Sequence, residues 1–295
     1  MDACTLCPRM CGVNRAAGEK GYCGMDATIR AARAALHMWE EPCISGTRGS
    51  GAVFFSGCSL RCIFCQNFEI AEGNCAKEIS GERLSEIFLE LQEQGAANIN
   101  LVTAAHYVPA VIESLKKAKA QGMDLPVIYN SSGYERVETV QMLEEVVDVW
   151  LPDFKYMDSK LAFAYSRAKD YPEVARAAIR EMMKAAGTCA YDEDGYIQKG
   201  VIVRHLILPG HTKNSIAVLD ELYGTYGDDL TISLMNQYTP LPQVRNIPDL
   251  NRRVTKREYE KVLDHALDLG ITQGFFQEGG TAKESFIPLF DYEGL

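Results

Sequence analysis

The chain has 295 residues, 47% apolar and 24% charged, with 40 acidic against 30 basic side chains and a formal net charge of −10. That is enough apolar residue for a large core in one barrel-sized unit or two smaller ones. The acidic balance argues against a sequence-independent nucleic-acid binder, which needs a basic face. Ten cysteines stand in a chain whose start has neither a basic nor an apolar leader region and which holds no run of about 18 apolar residues. The expectation is a cytoplasmic protein without membrane contact, using thiols for metal or redox chemistry rather than for disulfides.

Residues 1–50 read as a Cys-rich N-terminal extension and residues 51–295 as the main unit. Cys4, Cys7, Cys11 and Cys23 lie among glycines with little apolar periodicity. Such a segment gains order from a metal. A four-thiolate zinc or iron–sulfur site is one reading, and free thiols packed as small hydrophobes is the other. Cys43 reads as structural. Residues 29–39, with Arg30 and Arg33, read as a basic, apolar connector. The glycine-rich residues 45–51 lack the Gly-Lys-Ser/Thr ending of a phosphate loop.

From Gly51 the chain runs Ala52-Val53-Phe54-Phe55, an apolar stretch suited to a buried strand. Gly57 then permits a sharp turn. Cys58, Cys62 and Cys65 follow within eight residues, at x3 and x2 spacing. They supply three corners of a metal site. An electron-transfer 4Fe-4S cluster takes four thiolates, and a structural zinc also closes with four ligands. Three leave a metal position open, which marks a reactive site. A zinc knuckle completed by Cys75 is the bland alternative.

A strand–helix rhythm continues to the C-terminus. Strands are expected at 52–56, 98–103, 125–130, 146–154, 200–208 and 230–236, with a further one at 271–276. Helices are expected at 82–95, 107–121, 134–145, 172–187, 214–225 and 255–269. Alternation of this kind predicts an α/β fold with a parallel sheet, here a partial (β/α)6 TIM-type barrel. Its chemistry belongs at the C-terminal strand ends.

Each strand end offers polar groups. Thr103 and His106 follow the second strand, and either can accept a hydrogen bond; His106 reads equally as a surface residue at a helix start. Asn130, Ser131 and Ser132 follow the third, where they either reach a ribose or carboxylate or cap the next helix. Asp153 and Lys155 are two apart and share one strand face; a rim salt bridge is their bland reading. Arg204 sits in an apolar run and needs an anionic partner, whereas His205 has the opposite parity and reads as packed beneath a helix. His211 is a loop residue. Asn236, Gln237 and Tyr238 suit adenine or substrate contacts. The stretch Gly270–Pro288, with Phe275, Phe276, Gln277 and Glu278, reads as a cover folding over the barrel.

Cys58-x3-Cys62-x2-Cys65, with Phe64 before the last cysteine, resembles the signature of the radical S-adenosylmethionine (SAM) superfamily. Together with Asn-Ser-Ser-Gly-Tyr, Asp-Phe-Lys, Arg-x4-Pro-Gly and Met-Asn-Gln-Tyr, it resembles the group related to pyruvate formate-lyase activating enzymes, over nearly the whole chain. The N-terminal Cys-x2-Cys-Pro-Arg-x-Cys-Gly-Val-Asn-Arg looks like an activating-enzyme-like branch of that group. The resemblance implies a 4Fe-4S cluster on Cys58, Cys62 and Cys65, with SAM on its open iron and Phe64 near adenine. It implies that Ser131 and Asp153 help a monovalent cation or SAM, that Lys155 meets the methionyl carboxylate, and that Arg204 lines the pocket. Many such proteins carry Gly-Gly-Glu after the second strand to hold the SAM amino group; here Thr103 and His106 stand instead. The implied reaction is reductive cleavage of SAM to a 5′-deoxyadenosyl radical that abstracts hydrogen from a substrate, such as a glycine of a glycyl-radical enzyme. A flavodoxin or ferredoxin would donate the electron. A non-catalytic iron–sulfur or zinc protein in redox sensing or assembly is the rival reading.

Overall fold

The computed structural model describes residues 3–272, 274–277 and 288–295. Its strands are β1 (Arg30–His37), β2 (Ser50–Phe55), β3 (Lys77–Glu78), β4 (Ile99–Val102), β5 (Val127–Ser131), β6 (Val149–Pro152), β7 (Ala190–Tyr191), β8 (Ile197–Leu206), β9 (Thr231–Met235) and β10 (Gly274–Phe276). Its helices are α1 (Pro42–Ser45), α2 (Phe68–Ala71), α3 (Gly81–Glu93), α4 (Val108–Ala120), α5 (Val137–Leu143), α6 (Ser159–Ser166), α7 (Tyr171–Ala186), α8 (Thr212–Tyr226) and α9 (Lys256–Asp268). The sheet order is β10-β9-β8-β6-β5-β4-β2-β1-β3, with β7 alongside β8. Along the path from β2 to β10 every neighbour is parallel, while the short β7 is antiparallel to β8. This is the expected partial TIM-type barrel, with β10 as an added parallel edge.

The central strands β2, β4, β5 and β6 are buried on both faces, as a parallel sheet under helices requires. Val53, Phe55, Leu101, Tyr129, Trp150, Val201, Val203 and Ile232 join the large core under the helices. Ile128, Val149, Leu151 and Ile202 alternate with them and fill a smaller cluster on the opposite face. The pleat thereby fixes which residues at the strand ends turn inward.

Two elements depart from the sequence reading. The stretch expected as a connector at 29–39 contains β1, antiparallel to both β2 and β3. The sheet therefore runs across the division at residue 50. Ala31 and Ala32, neighbours of opposite parity, are both fully buried. With alanine on both faces, no alternation marked this strand. The helix expected at 134–145 begins only at Val137, because Tyr134 and Glu135 are buried ahead of it. Of the stretch 270–288 expected as a cover, Gly274–Phe276 form β10 at the sheet edge, and residues 273 and 278–287 lie outside the described residues; beyond it, residues 289–295 lie along β1, with the Ala34 N–H donating to the Glu293 carbonyl at 2.9 Å and the Tyr292 N–H to that of Ala32 at 3.1 Å. Glu278 lies outside the described residues. Among the described residues no helix is long and apolar enough to cross a membrane.

Two histidines are sealed in the core. His205 packs as its parity implies, its Nδ1 2.7 Å from the Phe154 carbonyl, and His106 places Nε2 2.7 Å from the Ser56 carbonyl. Burial drives His106 down to about 3 and His205 down to about 4. An unfolded histidine titrates near ~6.5. The folded values lie lower, so the stability gained by keeping these rings neutral is present above that pH and is lost as pH falls through the window below it. Each ring should contribute a slope of about 1.4 kcal/mol per pH unit within its window. Denaturant unfolding between about pH 4.5 and 7 should show this fall, and His205→Asn should flatten it by one proton's worth. An unchanged slope in the variant would contradict the assignment.

Candidate active site

The strand ends converge on a cavity of about 230 Å³. Cys58, Cys62, Phe64 and Cys65 line one side, from the loop after β2. Thr103, Asn130, Ser131, Asp153, Lys155, Arg204 and Gln237 line the rest, from the ends of β4, β5, β6, β8 and β9. Every predicted site residue of the barrel is thus brought together except His106.

The thiol loop is set by close packing at its start. Gly57 has φ +90°, and a Cβ there would stand 2.4 Å from Met25 Cγ and 2.9 Å from the Cys23 carbonyl oxygen. Only glycine lets the N-terminal segment approach so closely. His106 is the correction. It does not line the cavity. Its ring lies beneath the loop, bonded to the Ser56 carbonyl, and its own carbonyl accepts from the buried Arg15 guanidinium. It fixes the strand end from behind and has no access to a bound amino group. The β4 parity that aims Thr103 inward ends there, at φ +62°, a conformation a β-branched residue rarely adopts.

The thiols sit close enough for their neighbours to oppose the ionisation of Cys62 and Cys65. Burial pushes Cys62 up first, and Cys58 adds to the effect; burial likewise raises Cys65, with Cys62 and Cys58 adding. Such a trio calls for positive charge from iron, and soft thiolates are the donors that iron–sulfur clusters select. The residues present therefore fit a three-cysteine 4Fe-4S cluster. Among the described residues no three His, Cys, Asp or Glu side chains are gathered as tightly as a single metal ion requires. Cys75 is not a fourth member: its Sγ bonds the Phe290 carbonyl at 3.2 Å, and it packs against the cluster of Phe54 and Val102.

Facing the thiols is a buried charge network. Asp153 accepts from Lys155 and, at 3.1 Å, from Arg204 Nε. Arg204 also reaches Glu40 at 3.0 Å and Asn130 Oδ1 at 2.5 Å. Glu40 in turn accepts from Asn100 at 3.2 Å and Asn130 at 3.1 Å. Burial alone would raise Asp153, but Lys155 and Arg204 outweigh it and hold the carboxyl below its usual range. Burial would lower Lys155, yet Asp153 keeps it above its usual range, so it remains a cation. This is no exposed rim salt bridge. Arg204 has the anionic partners its apolar strand demanded, namely Asp153 and Glu40.

Asn130 and Ser131 are not capping α5, whose N-cap is Arg136. Ser131 Oγ instead accepts the Gly133 N–H at 3.3 Å. Gly133, at φ +72°, has no room for a side chain: a Cβ would stand 2.0 Å from the Asp153 carbonyl oxygen. Tyr171 ties this loop to β6, accepting the Lys155 N–H at 2.9 Å and donating toward the carbonyls of Ser132 and Asp153. Phe64 is ringed by Tyr156, Tyr165 and Tyr238, with centroids 6.2–6.5 Å away. Gln237 holds Gln277 through its side-chain oxygen at 3.1 Å and Gln66 through its backbone carbonyl at 3.0 Å. His211 bonds the Tyr165 hydroxyl at 2.8 Å and does not line the cavity. His37, Trp39 and Glu40 also line the cavity and were missed. His37 ends the unrecognised β1 and Trp39 and Glu40 follow it, and an acid–acid pair beside tryptophan was the one available signal.

The N-terminal segment lies against the back of this loop, with the Cys23 carbonyl close to Gly57. Cys4, Cys7 and Cys23 are buried and Cys11 is exposed. Arg9 crosses from this segment to the site. Its guanidinium donates to the carbonyls of Ser59 at 2.9 Å, Ser166 at 2.8 Å and Arg167 at 2.5 Å, and stacks over Tyr22.

The family model "Radical SAM superfamily" matches residues 52–222. The uncharacterized protein MJ0674 of Methanocaldococcus jannaschii is 29% identical over 270 residues, covering 89% of this chain and 74% of that protein. Among solved structures, the [FeFe]-hydrogenase maturase HydG is similar at a TM-score of 0.53 and 16% identity, over 78% of this chain and 52% of that one. A domain of pyruvate-formate lyase-activating enzyme from Bacteroides vulgatus gives a TM-score of 0.41 at 17% identity, over 58% of this chain and 92% of that one. SuiB of Streptococcus suis, solved with bound S-adenosylmethionine, gives 0.46 at 12%, over 76% of this chain and 46% of that one. The chain thus spans about half the length of HydG and SuiB.

The network makes a stability prediction. Arg204→Met should destabilise the fold by about 3–5 kcal/mol, because it leaves the largely buried Glu40 carboxylate without its cation. Adding Glu40→Gln should cost less than the sum of the single changes, since it removes the stranded charge. Strict additivity in denaturant unfolding would show that Glu40 and Arg204 are not a pair.

Proposed function

The chain belongs to the radical SAM superfamily, and on that premise we propose that it is an activating-enzyme-type oxidoreductase whose substrate is a glycine of a partner protein. The single observation that carries the SAM site is the three-thiol loop facing the Asp153–Lys155–Arg204 network across one cavity. Cys58, Cys62 and Cys65 would hold the 4Fe-4S cluster. When bound, the reduced cluster and SAM supply a 5′-deoxyadenosyl radical capable of abstracting hydrogen.

The chain's own residues position the cofactor. Lys155 is kept cationic by Asp153 and is suited to a carboxylate. Asn130, Ser131 and Ser132 present small polar groups to a ribose, and Ser131 and Asp153 are placed to share a monovalent cation. Thr103 supplies an acceptor for an amino group, alone now that His106 is turned away. Phe64 and Gln237 offer an apolar and a polar contact to adenine. Arg204 has committed its guanidinium to Asp153, Glu40 and Asn130, so it braces the wall rather than reaching into the cavity. The electron must come from outside the chain, and a flavodoxin or ferredoxin in the cytoplasm is the class of donor that fits. Cys4, Cys7, Cys11 and Cys23, which are not gathered tightly enough for a single zinc ion, are proposed to hold instead a second iron–sulfur cluster that orders the N-terminal segment.

The anaerobically reconstituted, reduced protein should cleave SAM to methionine and 5′-deoxyadenosine, and Cys62→Ala should fall to background. Lys155→Ala should weaken SAM binding by roughly tenfold or more, as loss of a charge-assisted hydrogen bond implies. Undiminished cleavage by Cys62→Ala would refute the cluster assignment, whereas no cleavage by the reconstituted parent protein would favour a non-catalytic metal role. Deuterium from a glycyl-labelled partner peptide should appear in 5′-deoxyadenosine; its absence, with cleavage intact, would exclude the glycyl substrate.

A further inference from the structure

Cys58 and Cys65 take hydrogen bonds from their own loop, from the Leu60 N–H at 3.4 Å and the Asn67 N–H respectively. Cys62 differs. Its Sγ lies 3.0 Å from the Ser166 hydroxyl, the last residue of α6, and Ser166 Oγ lies 2.8 Å from the Tyr156 hydroxyl. Ser166 is 1% exposed and Tyr156 fully buried. Both carry donors inside the core, and the cofactor reading gives them no task.

A thiolate only accepts, and a serine hydroxyl has one hydrogen. With Cys62 ionised, the Ser166 proton is committed to sulfur, and Tyr156 must donate to Ser166. The direction of the chain is therefore fixed: Tyr156 to Ser166 to Cys62. Burial, with Cys62 nearby, holds the Tyr156 phenol well above its usual range, so it keeps the proton it donates. The spacing is held from both sides. The Ile63 N–H donates to the Tyr165 carbonyl at 2.9 Å, and Arg9 grips the carbonyls of Ser59 and Ser166 together. The helix end is thereby locked to the thiol loop.

We propose that the Tyr156–Ser166 pair is a positioning relay that raises the reduction potential of the cluster bound through Cys62. The inference rests on the reading of Cys58, Cys62 and Cys65 as cluster ligands. Hydrogen bonds to a cluster's sulfurs are one of the protein's controls on its potential. Reduction adds one electron from an external one-electron donor and moves no proton, so the sulfur becomes more negative and the Ser166 bond strengthens. The relay thus favours the reduced state.

The test is a reductive titration of the reconstituted full-length protein with dithionite and mediators, read by the paramagnetic signal of the reduced cluster. Ser166→Ala should keep its iron and sulfide yet show roughly a tenfold lower reduced-to-oxidised ratio at a fixed potential, which is 59 mV for one electron. Tyr156→Phe should shift the same way by less. A Ser166→Ala protein with a full cluster and an unshifted potential overturns the proposal. So does loss of the cluster in Ser166→Ala together with an unmoved potential in Tyr156→Phe. A parent protein that holds no reducible cluster would instead refute the proposed function.

Discussion

Three thiols share one short loop, and burial together with their mutual repulsion resists their ionisation. That electrostatic conflict governs the site. Burial raises Cys62 and Cys65; Cys58 adds to the first, and Cys62 with Cys58 to the second. Unaided, Cys62 and Cys65 would stay protonated. An iron–sulfur cluster removes the conflict by supplying positive charge to all three sulfurs at once, and the single Ser166 hydroxyl on Cys62 adds a fixed dipole. Across the cavity the conflict has the opposite form. Arg204 and Lys155 are cations drawn from water, matched by Asp153 and Glu40. Isolated, any of these charges would be costly to bury; as a network they make a rigid polar wall.

The barrel brings the two halves together. Parallel strands alternate their side chains between the helical core and the opposite face, so each strand end delivers its inward residues to one mouth. Glycines then allow the tight approaches that side chains would block: Gly57 against Met25 and Cys23, and Gly133 against the Asp153 carbonyl. The N-terminal segment contributes from behind. Arg15 and His106 hold the end of β2, and Arg9 joins the thiol loop to the end of α6. The site is therefore built from residues spread between Arg9 and Gln237, and the N-terminal extension is part of its support.

Much of this was legible in the sequence because the physics is local. The parallel strands run through apolar stretches, and α3, α4, α7, α8 and α9 fall within two residues of their expected ends. Strand parity placed Asp153 with Lys155 and separated Arg204 from His205. What was not legible depends on distant partners. β1 is alanine on both faces and carries no alternation. His106 offered the right atoms at the right strand end, but its ring is captured by Ser56, which no spacing rule reveals. Glu40 becomes a site residue only through distant partners, Asn130 and, 164 positions away, Arg204. Ser166 matters only because it ends a helix packed on Cys62, 104 positions earlier.

Everything in the site turns on three cysteines leaving one iron for SAM. Electron–nuclear double resonance on the reduced protein, with SAM labelled with nitrogen-15 at its amino group and oxygen-17 at its carboxylate, examines that iron directly. The account predicts hyperfine coupling from both labels to the cluster held by Cys58, Cys62 and Cys65. A reduced cluster that shows neither coupling at saturating SAM, with all its irons bound by protein thiolates, would contradict it.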